Sequence, residues 1–154
     1  MERKEFLKTL GAGAAFALAF SCLHSCSSEG GGEEPLIPEQ PTGVDFTVDL
    51  NASLAANLQS NGGFIFVKSK VKFTENDIII VRNLEGNLVA ASKICSHEGN
   101  PNIDFFKENG GVFECDVHGA RFDLTGKPLN SITSRPLKIF KTEVSVNNIL
   151  RIFE

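Results

Sequence analysis

The chain contains no tyrosine, only three histidines and four cysteines, no surplus of basic charge, and no apolar run long enough to cross a bilayer comfortably as a permanent helix. Each scarcity narrows what the 154 residues can do. With 15 basic against 19 acidic side chains the net charge is -4, and without the first 25 residues it becomes 12 against 17, or -5. A phosphate-binding face needs clustered basic charge, so a nucleic-acid partner is not expected. The absence of tyrosine keeps phenol hydroxyls out of any site. No internal repeat is present, and Gly11-Ala12-Gly13 is not a nucleotide-binding loop, since no strand precedes it. What remains is an ordinary globular composition, 42% hydrophobic and 22% charged, with the size of one domain.

The N-terminal quarter does not read as fold. A charged start, Glu2 to Lys8, leads into the small apolar run Leu10 to Phe20, the pattern of a secretory signal over residues 1–25. Arg3-Lys4 ahead of Glu5-Phe6-Leu7-Lys8 also resembles the twin-arginine export pattern, with lysine in place of the second arginine. Leu23-His24-Ser25-Cys26 resembles a bacterial lipobox, which makes Cys26 the expected acylation site and Cys22 the weaker alternative. Residues 26–44, with Gly30 to Gly32 and Pro35, Pro38 and Pro41, cannot bury a core and suit a flexible tether. The expectation is an exported protein of the periplasm or cell envelope, held at the membrane by a lipid on Cys26.

From Asp45 onward, short apolar runs alternate with turn signals. Asp45 to Leu50, Gly63 to Lys68, Asp77 to Arg82, Leu88 to Ser92, Gly111 to Cys115, Leu137 to Val144 and Ile149 to Phe153 have strand length and are rich in β-branched or aromatic residues. Asn61-Gly62-Gly63, Glu85-Gly86-Asn87, Asn109-Gly110-Gly111, Thr125-Gly126-Lys127 and Asn147-Asn148 supply the tight turns between them. The pattern predicts an all-β antiparallel sandwich or barrel over 45–154. Asn51 to Ser60 is the one helical candidate, with Leu54, Ala55 and Leu58 on a shared face behind a Ser53 cap.

The chemistry concentrates in Cys95-Ser96-His97 and, after 17 residues, Cys115-Asp116-Val117-His118. Thiolate and imidazole are the ligands proteins use for iron–sulfur clusters and zinc, and each loop offers one of each. If the first loop is extended, skipping one residue returns Cys95 and His97 to the same side. Without the signal, the chain holds no other histidine and no cysteine besides Cys26, so two free thiols in an oxidising compartment need a reason not to pair. Metal ligation is such a reason. A Cys95–Cys115 disulfide remains open. So does zinc, although zinc modules tend to pair Cys with Cys and His with His at short spacing. Cys–His catalysis fits less well, because no third orienting partner is evident.

The two loops, with Gly99, His118 to Asp123, Gly126 to Leu129 and Arg135 to Leu137, resemble the Rieske family, in which C-x-H and C-x-x-H loops hold a [2Fe–2S] cluster. The resemblance covers Gly63 to the C-terminus. It implies a smaller cluster-binding part at about 92–124, with Cys95 and Cys115 on a buried iron and His97 and His118 on a more exposed one. It implies a one-electron carrier with a redox partner protein or complex, or alternatively the Rieske subunit of a quinol-oxidising or arsenite-oxidase-like enzyme. A ferredoxin for a cytoplasmic oxygenase would use the same ligands but conflicts with the export signal.

Four positions depart from the high-potential members of that family. Asn100 and Val117 stand where those members have cysteines joined in a disulfide, so the loops must rely on packing, with Phe105, Phe106 and Phe122 as candidates. Ala120 and Phe122 stand where a serine and a tyrosine donate hydrogen bonds to sulfur. Such donors stabilise the more negative reduced state, so their loss predicts a potential in the low or middle part of the Rieske range, roughly -150 to +300 mV.

Overall fold

The computed structural model describes residues 38–69 and 76–154. The expected signal, the lipobox with Cys22 and Cys26, and the tether up to residue 37 lie outside the described residues. Among the described residues no helix is long and apolar enough to cross a membrane.

Among the described residues nine antiparallel strands form two sheets. In chain order they are β1 (Asp45–Asp49), β2 (Phe64–Val67), β3 (Ile78–Arg82), β4 (Leu88–Ser92), β5 (Ile103–Phe106), β6 (Val112–Cys115), β7 (Arg121–Phe122), β8 (Ile139–Val144) and β9 (Ile149–Phe153). The large sheet runs β1-β9-β8-β4-β3-β2 and the small one β5-β6-β7. The all-β antiparallel expectation holds.

The large sheet curls because all six of its strands contribute to one core. Phe46 and Val48 of β1 face Ile152 and Leu150 of β9 in register, and the same core takes Ile65 and Val67, Ile78 and Ile80, Ala90 and Phe140. Strand β8 changes partner midway, pairing with β4 through Ile139 and Phe140 and with β9 through Lys141 to Val144. The hairpin β8–β9 closes with Asn148 at φ 58°, a left-handed position that asparagine tolerates well.

Strand β3 shows how sequence and layering connect. Ile78, Ile79, Ile80 and Val81 are all fully buried, without the polar alternation of a half-exposed strand. Ile78 and Ile80 belong to the barrel core, whereas Ile79 and Val81 belong to a second core with Ala91, Ile103, Phe105, Phe113 and Phe122. A strand covered on both faces has to be apolar on both. The small sheet is that second cover, and it carries the site.

Two expectations need correction. The Asn51 to Ser60 segment is a 3₁₀ helix over Ser53–Gln59, with Ala52 at its N-cap and no side-chain capping bond. Ala55 and Leu58 are buried, but Leu54 is 63% exposed, because a three-residue turn rotates it off the face that an α-helix would share. Phe106 is 40% exposed at the end of β5, whereas Phe105 and Phe122 pack inward. The described end of the expected tether, residues 38–44, lies on the domain. Pro41 and Val44 are buried, Lys138 Nζ donates to the Pro41 carbonyl (2.7 Å), and the Gly43 N–H donates to the Glu154 carboxylate (2.7 Å).

Candidate metal centre

Strands β4 and β8 are neighbours in the large sheet, yet 46 residue positions, 93–138, separate them in sequence. That excursion makes the small sheet and three loops. The first loop leaves β4 with Cys95, the second leaves β6 with Cys115, and the third returns past Arg135 to β8.

The first two loops are the same turn built twice. The Cys95 carbonyl accepts from the Gly99 N–H (2.8 Å) while the Cys95 N–H donates to the Asn100 carbonyl (2.8 Å). The Cys115 carbonyl accepts from the Gly119 N–H (2.8 Å) while the Cys115 N–H donates to the Ala120 carbonyl (2.9 Å). Gly99 and Gly119 sit at φ +78° and +69°, where a side chain would be strained. A turn replaces the extended loop expected for Cys95 and His97, so their pairing does not come from strand alternation. The closed turn instead buries each sulfur beneath it and presents the histidine above.

Burial divides the four candidates in that way. Cys95 is 1% exposed and Cys115 is fully buried, both within the second core, and both are free thiols. The side chains of His97 and His118 are 28% and 37% exposed, with ring centroids 5.0 Å apart and planes nearly perpendicular at 86°. Burial pushes the Cys95 thiol up to about 11. The backbone N–H groups of His97 and Glu98 oppose that shift, and the neighbouring Cys115 thiol reinforces it. Two sulfurs driven together in an apolar pocket are poorly placed as lone thiolates and well placed as ligands to a cation.

The histidines supply a further observation. His97 Nδ1 is buried and has no hydrogen-bond partner, while His97 Nε2 faces outward to Glu98 Oε1 at 3.9 Å. His118 Nε2 faces Glu98 Oε2 at 3.5 Å. A buried, unpartnered imidazole nitrogen costs about 1–3 kcal/mol unless something binds it. This donor set of two buried sulfurs and an inward imidazole nitrogen fits a soft-to-borderline metal group. His97, Glu98 and His118 also bring ligand atoms within 4.8 Å of one another. That outer set leaves both thiols and His97 Nδ1 unexplained, so the inner set is the better account.

Without a disulfide, the third loop holds the other two. Ser96 Oγ donates to the Arg135 carbonyl (2.9 Å), and the Arg135 guanidinium lies 3.5 Å from the carbonyls of Ser96 and His97. Asn130 Nδ2 donates to the Gly119 carbonyl (2.7 Å), and the Asp116 N–H donates to the Asn102 carbonyl (3.2 Å), which ties the second loop to the first. Beneath them Phe105 packs edge-on against Phe113 (6.0 Å) and Phe64 (6.3 Å). Between the first and third loops lies an open cavity of about 500 Å³, lined by His97, Glu98 and residues 131–135. Ser96, Glu98 and Asn130 are not recognisable from composition or spacing; only the adjacency of Ser96 and Glu98 to His97 marks them.

The family model for the Rieske [2Fe–2S] domain matches residues 55–141. The cytochrome b6-f complex iron-sulfur subunit of Chlorobaculum thiosulfatiphilum is 32% identical over 83 residues, which is 54% of this chain and 45% of that protein. The subunit of the same name from Chlorobaculum tepidum is 25% identical over 149 residues, 97% of this chain and 74% of that one. The chain thus spans from under half to about three quarters of the length of these relatives. A cyanobacterial plasma membrane Rieske protein from Synechocystis PCC 6803 is 39% identical over 48% of this chain and 74% of its own, with a TM-score of 0.41.

Proposed function

The chain belongs to the Rieske [2Fe–2S] domain family, and on that premise we propose that Cys95, Cys115, His97 and His118 ligate its cluster in a one-electron carrier that works outside the cytoplasm. Family membership brings a [2Fe–2S] cluster and electron transfer through it. The observation that carries the ligand assignment is the buried, unpartnered His97 Nδ1 beside two buried free thiols. When bound, the cluster supplies one-electron exchange. The chain's own part is to bury the sulfurs, to leave the two imidazole edges at the surface for a partner, and to hold the three loops with Ser96, Arg135 and Asn130.

Anaerobically purified protein should contain two irons and two acid-labile sulfides per chain, and dithionite should produce the EPR spectrum of a mixed Cys/His-ligated cluster. Cys95→Ser and His97→Ala should each abolish or alter that spectrum. Zinc without sulfide, or an unchanged spectrum in both variants, would refute the assignment.

The proposed location rests on residues 1–26. The signal-like run and the lipobox support export and acylation at Cys26, with Cys22 as the alternative. Radiolabelled palmitate should enter the wild-type protein and not the Cys26→Ala variant. Label retained by Cys26→Ala and lost from Cys22→Ala would move the anchor to Cys22.

The likeness to cytochrome b6-f iron-sulfur subunits favours a second reading, a subunit of a quinol-oxidising complex. Copurification with a membrane cytochrome, and reduction of the cluster by a quinol, would support it over the freestanding carrier.

A further inference from the structure

The exposed charges over the two histidines are carboxylates. The first two loops, Cys95 to Gly99 and Cys115 to Gly119, and the facing stretch Asn130 to Ser134 contain two carboxylates, Glu98 and Asp116, and no lysine or arginine. Both acids are exposed, and Glu98 is set between the outer nitrogens of the histidines, one carboxylate oxygen toward each ring. Of the cations that flank these stretches, Lys93 donates to the Pro101 carbonyl, Arg121 pairs with Glu114, and Arg135, in the wall of the cavity shared with His97 and Glu98, is turned onto the carbonyls of Ser96 and His97. Around the charge lie two exposed apolar side chains, Val117 (46% exposed) beside His118 and Ile132 (42% exposed) in the wall of the cavity that includes His97 and Glu98.

We propose that this face docks a redox protein with a cationic surface, and that Glu98 is its specificity-determining residue. The proposal rests on the electron-carrier reading above and adds the class of partner. A carboxylate over the electron exit steers a basic partner so that its own redox centre approaches the imidazole edges, and it repels an acidic one. Val117 and Ile132 supply the apolar contact that holds the encounter once water is expelled. A charge at the rim of an interface acts mainly on the association rate and its salt dependence.

The test uses the cluster-loaded protein, with a basic c-type cytochrome and an acidic flavodoxin as probes. In the reaction with cytochrome one electron leaves the reduced cluster and the ferric haem becomes ferrous, with no bond formed or broken. EPR and iron content are measured first for every variant, since a chain without a cluster refutes the electron-carrier reading and not this one. With clusters intact, Glu98→Gln should slow the low-salt reaction with cytochrome by about three- to tenfold and flatten its salt dependence. Glu98→Lys should slow it further and weaken calorimetric binding of the same cytochrome. Glu143→Gln, which removes an equal charge from β8, should leave both readouts in place. Equal salt slopes for wild type and Glu98→Gln would overturn the proposal. Tighter binding of the acidic flavodoxin than of the cytochrome by the wild type would overturn it as well.

Discussion

Ala120→Ser tests whether the loops sit around the cluster as assigned. Ala120 is fully buried in the core that also holds Cys95 and Cys115, and its carbonyl receives the Cys115 N–H. In wild type the donors toward the Cys95 sulfur are the backbone N–H groups of His97 and Glu98. A hydroxyl at 120 would add a donor close to sulfur. A hydrogen bond to a charged group is worth about 1.5–3 kcal/mol, and the part that counts is the excess gained when the cluster takes up negative charge. If that excess is about 1 kcal/mol, a one-electron couple shifts upward by about 40 mV, since tenfold in the equilibrium constant is about 59 mV. Potentiometry followed by EPR would measure it, starting from a wild-type value in the low or middle part of the family range. The thermal midpoint separates the alternatives. A hydroxyl that finds no partner leaves a buried polar group, costing about 1–3 kcal/mol, and should lower the midpoint by several degrees without moving the potential. That outcome, or an unchanged potential with an intact EPR spectrum, would refute the assigned geometry.

Three further outcomes are expected. Asn100→Cys with Val117→Cys should form a disulfide across a loop of about 17 residues, adding about 3 kcal/mol in the chain-entropy account; free thiols at both positions in thiol titration would show that the loop tips do not meet. Phe113→Ala should cost about 3–5 kcal/mol, because Phe113 is fully buried between the sheets, and urea titration should show the loss together with faster bleaching of the cluster. Burial opposes the Asp123 charge, but the hydroxyl and N–H of Thr125 and the N–H of Lys127 outweigh it and hold the carboxyl below its usual range. A folded-state value below the unfolded one stabilises the fold above about pH 4 and loses that contribution as pH falls through the folded value. Thermal midpoints in acid should therefore depend less on pH in Asp123→Ala than in wild type, and parallel curves would refute the turn's role.

How far the sequence reveals the fold depends on which contacts shape each element. Strands β1, β3, β4, β8 and β9 are legible because β-branched runs and Asn or Gly turns are local signals, and their boundaries agree closely with the observed pairs. Strand β7 is illegible for the opposite reason. It has two residues, Arg121 and Phe122, and exists only because β6 offers partners for them. Strand β5 has a faint signal, since Ile103 and Phe105 are buried and alternate with Asp104 and Phe106, but Pro101 and Asn102 just before it resemble a loop. The run Ile78 to Val81 announces a strand, whereas the reason all four residues are apolar lies in a second sheet distant in sequence.

The site divides along the same line, and that division bears on its function. The identities of Cys95, His97, Cys115 and His118 are visible because metal-ligand chemistry restricts the residue types and their spacing. Their arrangement is not, because a two-residue offset in one loop and a three-residue offset in the other suggest different backbones. The structure resolves this with one turn used twice, in which Gly99 and Gly119 each close onto the carbonyl of the cysteine four residues earlier. The two turns are of equal length, so the histidine takes the third place in the first turn and the fourth in the second, where Val117 stands at the place of His97 and is exposed beside His118. The one-place shift of the histidine that gives the two loops their different ligand spacings thereby also puts Val117 on the face a partner would meet, so the spacing and the proposed docking surface have one structural cause.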